Sequence, residues 1–249
     1  MSRSQPQVQS RGVMLFPLLA LAVAALGLAI LAIAGPAHRL GMSLPSAYAL
    51  MRWAAYVGVA AAAASIVTGV LAYRMRQWGR LTVAALALTT AIVTCAIGFI
   101  WQYRAANSPP IHDITTDLEN PPTFTAVLES RADAPNRLDR PPQLADLQRH
   151  GYPDLAPITM QERPGQAFDR ALAVAQAQGW DIVTADKSSG RIEATDTTRW
   201  FGFVDDIVVR LTPWGTGTRI DVRSVSRSGT GDAGRNAARI RTFLREVEK

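Results

Sequence analysis

The sequence predicts an α-helical membrane anchor with three transmembrane helices, followed by an α+β domain. The domain is expected to hold a four-stranded antiparallel sheet with two helices on one face. Three long uncharged apolar runs lie within residues 1–104, proline is frequent in residues 105–163, and helix-like and strand-like patterns alternate from residue 164 onward. We therefore divide the chain into an anchor (1–104), a proline-rich arm packed on the domain (105–163) and an extracytoplasmic α+β domain (164–249).

Each apolar run is long enough to cross a bilayer as a helix. Residues 13–34, 53–73 and 81–103 contain no charged side chain, and about 20 helical residues cover the roughly 30 Å of hydrocarbon. The first run is longer than the usual apolar region of a signal peptide, so we expect it to remain as a span. The charge-free interiors argue against a proton relay or an ion path. Gly58 and Ala62 suit close helix packing, within a bundle or a homodimer.

The excess positive charge of the chain lies in the anchor. Residues 1–104 contain eight arginines and no lysine or acid, whereas residues 105–249 contain 18 basic and 20 acidic residues. Such a distribution is typical of membrane topology signals and not of a nucleic-acid groove, so we expect no nucleic-acid partner. Cys95 is the single cysteine and cannot form an intramolecular disulfide.

The arginines on the two sides of the predicted spans differ in number. The tail before the first span and the loop after the second span hold five, and the loop after the first span holds two. The positive-inside rule therefore predicts a cytoplasmic N-terminus and a C-terminal domain outside the cytoplasm. The five are Arg3, Arg11, Arg74, Arg76 and Arg80, and the two are Arg39 and Arg52.

The pattern from Pro164 onward predicts a helix, four strands and a helix. The first helix is predicted from Pro164 to Gly179, and the last covers about residues 232–247. Short links between the strands indicate antiparallel neighbours. The strands are predicted at residues 180–184, 191–195, 206–212 and 219–226, and one short strand is predicted within the arm at residues 123–128. The run 219–226 alternates charged and apolar residues, which is typical of a half-exposed strand.

The stretch RSVSRSGTGDAGRN, residues 223–236, contains the glycine pattern of a dinucleotide-binding turn. That site also needs a buried parallel strand before the glycines, then a helix and a second strand. Only 15 residues follow Gly234, which is room for one helix. We therefore predict no nucleotide and no other cofactor.

The same turn has two further interpretations. Arg223, Arg227, Arg235 and Arg239 surround a helix N-terminus, which is a suitable site for an anion such as a phosphate or carboxylate. In the alternative, Asp232 caps that helix and occupies the site itself.

An aromatic cluster supplies the other candidate ligand-binding residues. Trp200 and Phe203 belong to the run Trp200-Phe201-Gly202-Phe203, which fills the core or forms an apolar lip toward a membrane or lipid tail.

Four residues are candidates for acid–base chemistry. His112 precedes Asp113, and Asp205 precedes Asp206. Adjacent strand residues point to opposite faces, so Asp205 and Asp206 suit a cross-strand Asp–Arg ladder better than a shared catalytic site. We predict no catalytic constellation and no metal site.

Four motifs occur in order: IHDITTD, NPPTF, TRWFGFVDDIVVRL and RIDVRSVSRSGTGDAGRN. With them, residues 111–244 resemble a bacterial family known as domain of unknown function 1499. The resemblance supports treating the motifs as one domain and implies no activity. We expect an inner-membrane protein whose periplasmic domain is a binding or accessory module of the cell envelope, with a lipid, glycan or envelope protein as partner. The alternative is an envelope hydrolase that uses His112 with Asp113, or the Asp205–Asp206 pair.

Overall fold

The computed structural model describes residues 9–249, with side chains from Leu15 onward. The predicted topology signal Arg3 lies outside the described residues, as does the side chain of Arg11. The chain divides into two compact units, one ending at Gln102 and the other beginning at Tyr103. Each unit has its own packing.

The first unit consists of long apolar helices, as predicted. Helix α1 covers Gln9–Arg39, α2 covers Leu44–Arg74 and α3 covers Trp78–Asn107. All three are long and apolar enough to cross a membrane. Small side chains meet where the helices pack together, and they are Ala20, Ala24, Ala61, Ala87 and Ala91.

Gly58 allows close packing between α2 and α3. A side chain at this position would place its Cβ 2.8 Å from the sulfur of Cys95, so a larger residue would push the helices apart. The Cys95 thiol in turn donates to the Ala55 carbonyl, 3.8 Å away. The small face of Gly58 is thus occupied within this chain.

The second unit is built on one antiparallel sheet of six strands, so the predicted number of four is wrong. The order across the sheet is β1-β6-β5-β4-β3, and β2 also pairs with β6. The strands are β1 (Asp113–Thr115), β2 (Ile158–Met160), β3 (Asp181–Asp186), β4 (Arg191–Thr197), β5 (Val204–Trp214) and β6 (Gly217–Ser226).

The two strands missed by the sequence pattern come from the arm. Helix α3 extends to Asn107, so the arm in the structure is residues 108–163 and not 105–163. Strands β1 and β2 have three residues each and pair with opposite ends of β6. Three residues are too few to show an alternating pattern, which explains the missed prediction. The ten-residue β6 therefore has neighbours on both sides.

One face of the sheet, the helix face, carries the main hydrophobic core. Helices α5 (Pro164–Ala177) and α6 (Arg235–Val247) share this core with alternating strand residues. Phe243 is fully buried there, and its ring stacks on that of Trp180 with 5.0 Å between centroids. Helix α5 stops shortly before Gly179, whose positive φ of 78° lets the chain turn.

The opposite face, the arm face, is covered by the arm. Phe124 and Val127 pack on Val208 and Val225 of the sheet. The predicted strand 123–128 is wrong, because these residues form a loop and a turn that lead into a 3-10 turn at Glu129–Arg131. The prediction that β6 is half-exposed is also wrong, since nine of its ten residues are buried.

The arm also contains helix α4 (Pro142–Gly151), which closes one edge of the sheet. The side-chain amide of Gln148 donates to the Thr115 carbonyl, and its oxygen accepts from the Thr115 N–H at 3.1 Å. The Gln148 side chain therefore satisfies the N–H and carbonyl groups of Thr115 at the edge of the sheet, as a further strand would.

Candidate functional site

The Asp113 carboxylate, a candidate acid or base, is held by arginines. It is 1% exposed. Arg223 binds both of its oxygens, at 3.0 and 2.7 Å, and Arg140 approaches at 3.1 Å. The neighbouring His112 uses its carbonyl oxygen to accept from Ser226 and Asn236. Asp113 is thus a structural anchor between β1 and β6, with almost no surface left for a substrate.

Asp206 is held in the same way on the arm face. Its side chain is fully buried and accepts from Arg131 at 2.8 Å and from Arg227 at 2.8 Å. Arg227 also donates to the carbonyl and hydroxyl oxygens of Ser130 in the arm. Both arginines therefore join the arm to strand β5.

Asp205 points to the other face of the sheet, as strand geometry requires. Arg239 of α6 donates to it at 2.6 Å and to Asp196 at 2.6 Å. Arg235, one turn earlier, donates to Asp196 at 3.1 Å. The two adjacent acids thus bind different arginines on different faces and do not form one site.

The four arginines proposed as an anion site are divided between the two faces. Arg223 and Arg227 lie on the arm face, and Arg235 and Arg239 lie with α6 on the helix face. Each forms an ion pair with an aspartate. The structure therefore does not bring them together around one ligand.

The predicted Asp–Arg ladder runs across β5 and β6. Arg210 stands directly opposite Asp221 and donates to it at 3.0 Å. Arg210 and Arg219 also both donate to Asp117 of the arm at 2.9 Å. The ladder thus continues from the sheet into the arm.

Glu193 is the central residue that the sequence analysis missed. Its side chain is fully buried on the arm face. The backbone N–H groups of Thr125, Ala126 and Val127 donate to its two oxygens at 2.8 to 3.1 Å, and the Thr125 hydroxyl donates at 2.7 Å. The arm loop therefore encloses this carboxylate as a loop would enclose a bound anion.

Asp232 caps helix α6. Its carboxylate accepts from the N–H groups of Gly234 at 2.8 Å and Asn236 at 2.7 Å. The free N–H groups of the helix N-terminus thus meet a carboxylate from the same chain. Burial raises the pKa of Asp232, and this effect outweighs the opposing effect of the two N–H donors.

The glycine turn packs against the chain that leaves α3. A Cβ at Gly234, whose φ is 79°, would lie 3.1 Å from the hydroxyl of Ser108. Gly231 faces Pro109 and Pro110 at van der Waals distance. The strand before the turn is antiparallel to its neighbours, whereas a dinucleotide site needs a parallel one. The glycines therefore serve the turn and its packing.

The aromatic cluster closes the loop between β4 and β5. Phe201 is 2% exposed, and its ring stacks on Phe203 at 5.3 Å between centroids and meets the edge of Trp200 at 5.0 Å. The Phe203 N–H donates to the Thr198 hydroxyl at 2.8 Å, which fixes the loop. Phe201 is core, whereas Trp200 and Phe203 are only partly buried.

An open concavity, which we call the groove, lies on the arm face beside β3. Its volume is about 500 Å³. It is lined by residues of the arm, of strands β3 to β5 and of the end of β6, including Ala126, Glu129, Val183, Thr195, Val204 and Arg227. Among residues 9–249, no group of three or more histidine, cysteine or acidic side chains is arranged to hold a metal ion.

Comparison with known proteins identifies a family relation. The sequence model of a family described as "Protein of unknown function (DUF1499)" matches residues 113–247, which is just over half of the chain. None of the curated proteins searched matches the sequence. The family match covers all six strands of the sheet and ends with helix α6.

The raised pKa of Asp232 predicts a pH-dependent stability. An unfolded aspartate has a pKa of about 3.9, so the folded state binds more protons from about pH 4 up to the raised value. The free energy of unfolding contributed by Asp232 therefore falls as pH rises through this window and is constant above it. Denaturant unfolding of the full-length protein and of Asp232→Asn should show a stability difference that changes with pH in this window.

The matched control is Asp154→Asn. In the wild-type protein, the hydrogen bond from Arg241 lowers the pKa of Asp154. The stability that Asp154 contributes is therefore lost only as pH falls below about 4. Between about pH 4 and 8 the Asp154→Asn difference should be constant. A constant difference for Asp232→Asn as well would contradict the prediction.

Proposed function

Because the chain belongs to the DUF1499 family of proteins of unknown function, we propose a role for it from its own geometry. We propose that it is a membrane-anchored binding or accessory module of the cell envelope, and not a hydrolase. The observation that carries this proposal is the state of the candidate catalytic acids. Asp113, Asp205 and Asp206 are each at most 2% exposed, and each is paired with arginine.

Acid–base catalysis needs a group that reaches the substrate and exchanges protons with it. Each of these carboxylates instead accepts charge-assisted hydrogen bonds from side chains that join separate elements. Removing one from its arginines would leave buried charges unpaired, which costs about 3–5 kcal/mol. A structural role for the three acids accounts for their burial, and a catalytic role does not.

We also propose that the protein lies in a bacterial inner membrane with its N-terminus in the cytoplasm and its C-terminal domain in the periplasm. Supporting this, the short connection between α2 and α3 is flanked by Arg74, Arg76 and Arg80. On the other side, Arg39 ends α1 and Arg52 lies in the first part of α2. Basic residues favour the cytoplasmic side.

The orientation is tested by a reporter enzyme that is active only outside the cytoplasm. Fused after Lys249, the reporter should be active, and the same reporter fused within the α2–α3 connection should be inactive. The reverse pattern at normal expression would contradict the orientation.

The binding role is tested with the full-length protein and with His112→Ala. The form of the hydrolase alternative that uses His112 with Asp113 requires this imidazole, whereas His112 accepts hydrogen bonds in the fold through its backbone carbonyl. After cross-linking in intact envelopes, both proteins should retain the same partner. Neither should release product when incubated with purified envelope lipid and glycan.

The contrary result is equally clear. Product release by the wild-type protein that is lost in His112→Ala would overturn the proposal in favour of the hydrolase. Absence of any cross-linked partner on the wild-type protein would also overturn it.

A further inference from the structure

The groove beside β3 has apolar walls that are open to solvent. Val183 of β3 is 44% exposed, and Ala126 and Val204 line the same concavity. Leu128, which follows Ala126 and Val127 in the arm, is 48% exposed. Most aliphatic side chains of strands β4 to β6 are buried, so this exposure sets the groove apart from the rest of the sheet.

Strand β3 presents these residues at the edge of the sheet. It pairs only with β4 and stands last in the strand order. The register shifts between Ile182 and Thr184, so Val183 forms a bulge. Ile182 packs on the core of the helix face, and Val183 lines the groove. A bulge limits pairing with a further strand, so a ligand must be bound mainly through its side chains.

Two carboxylates near the groove have no ion pair with any described residue. Glu129 lines the groove from the arm side. Asp181 pairs in register with Thr195, another lining residue, and therefore lies on the same face of the sheet. Both side chains are exposed. Glu129 thus borders the groove directly, and Asp181 lies on the same sheet face beside the lining residue Thr195.

The single arginine of the groove does not offset these charges toward a ligand. The guanidinium of Arg227 donates to both oxygens of Asp206 and to the carbonyl and hydroxyl of Ser130. These contacts hold the guanidinium to Asp206 and Ser130. An anionic ligand, such as a fatty acid or a phospholipid headgroup, would therefore meet two carboxylates and no available cation.

From this arrangement we infer that the groove binds an extended peptide segment of a partner protein, in which basic and apolar side chains alternate. The inference rests on the proposed binding function and names its partner class. An apolar side chain of the segment packs against Val183 and Val204, and basic side chains pair with Glu129 and Asp181. Alternation along an extended chain directs the apolar side chains to the floor. The basic side chains on the other side are long and flexible, so they can bend back to the carboxylates at the rim.

The test uses the full-length protein in nanodiscs of zwitterionic phosphatidylcholine. The probe is a fluorescently labelled eight-residue peptide of alternating lysine and valine, and its affinity is measured by fluorescence anisotropy. The double variant Glu129→Lys/Asp181→Lys should bind it about tenfold more weakly or worse, because two ion pairs become repulsive contacts. The variant should also prefer a matched peptide of alternating glutamate and valine.

The control for charge is Glu248→Lys, which reverses an exposed carboxylate at the end of α6 and should leave the affinity unchanged. Val183→Ser tests the apolar contact and should weaken binding of the lysine–valine peptide severalfold. All substituted side chains are exposed, so each variant should retain the wild-type melting temperature.

Several outcomes would overturn the inference. These are no binding of the lysine–valine peptide, equal binding by the double variant, or tighter binding of an acyl chain such as decanoate at the groove. Loss of self-association in the double variant would assign the groove to a second copy of this chain instead.

The envelope cross-linking experiment separates this inference from the proposed function. If the double variant retains the wild-type partner in envelopes, the groove assignment fails and the binding role stands. If neither protein retains a partner, the binding role itself fails. Loss of the partner in the double variant alone supports both.

Discussion

Buried carboxylates on the arm face of the sheet must be paired, and this requirement ties the arm to the sheet. Asp113, Glu193, Asp206 and Asp221 project from four strands, and none is more than 1% exposed. A buried ionised group costs several kcal/mol unless hydrogen bonds compensate it. The arm supplies that compensation to Asp206, Asp113 and Glu193 through Arg131, Arg140 and the loop N–H groups. Asp221 is paired with Arg210 and Arg219 of the sheet. Without the arm, the sheet would expose this charged face to water.

The same arginines also contribute to the apolar packing of the arm. The guanidinium of Arg223 lies over the ring of Phe124 at 5.5 Å, and that of Arg131 lies near the same ring at 6.0 Å. Such contacts place a delocalised cation on an aromatic face while its edge binds carboxylates. Phe124 is therefore held by polar and apolar contacts together, which accounts for an ordered arm with little regular structure. The pairing of buried carboxylates with arginines is consistent with the nearly equal numbers of acidic and basic residues in the domain.

The sequence could predict the elements whose patterns are long. Helices α5 and α6 and strands β3 to β6 follow clear periodicity. Strand geometry also predicted that Asp205 and Asp206 lie on opposite faces of the sheet. The sequence could not predict the burial of Glu193. A charged residue in an alternating strand gives the same pattern whether its face is exposed to water or covered by another segment. The three-residue strands β1 and β2 are too short for any pattern, and β6 provides their structure. The four arginines predicted to bind an anion lie on two faces of the sheet, which their proximity in the sequence does not reveal.

The acidic residues of the domain divide into two groups with different roles. The acids that looked reactive in the sequence are used to hold the fold, and the carboxylates left unpaired near the groove, Glu129 and Asp181, lie in unremarkable stretches of sequence. The proposed binding surface therefore lies at the sheet edge, where neither residue contributes to the buried ion pairs. A surface of this kind can change its partner without loss of the fold, since surface substitutions away from buried networks change stability little.

Glu193 holds the arm to the sheet. Hydrogen exchange of the backbone amides of Thr125, Ala126 and Val127 in the full-length protein tests it directly. In Glu193→Gln an amide group replaces one acceptor oxygen, so these amides should exchange about a hundredfold faster, as expected for about 3 kcal/mol of lost stability. Glu129→Gln, an exposed change in the same segment, should leave them at the wild-type rate. Equal exchange in Glu193→Gln and the wild-type protein would contradict the claim.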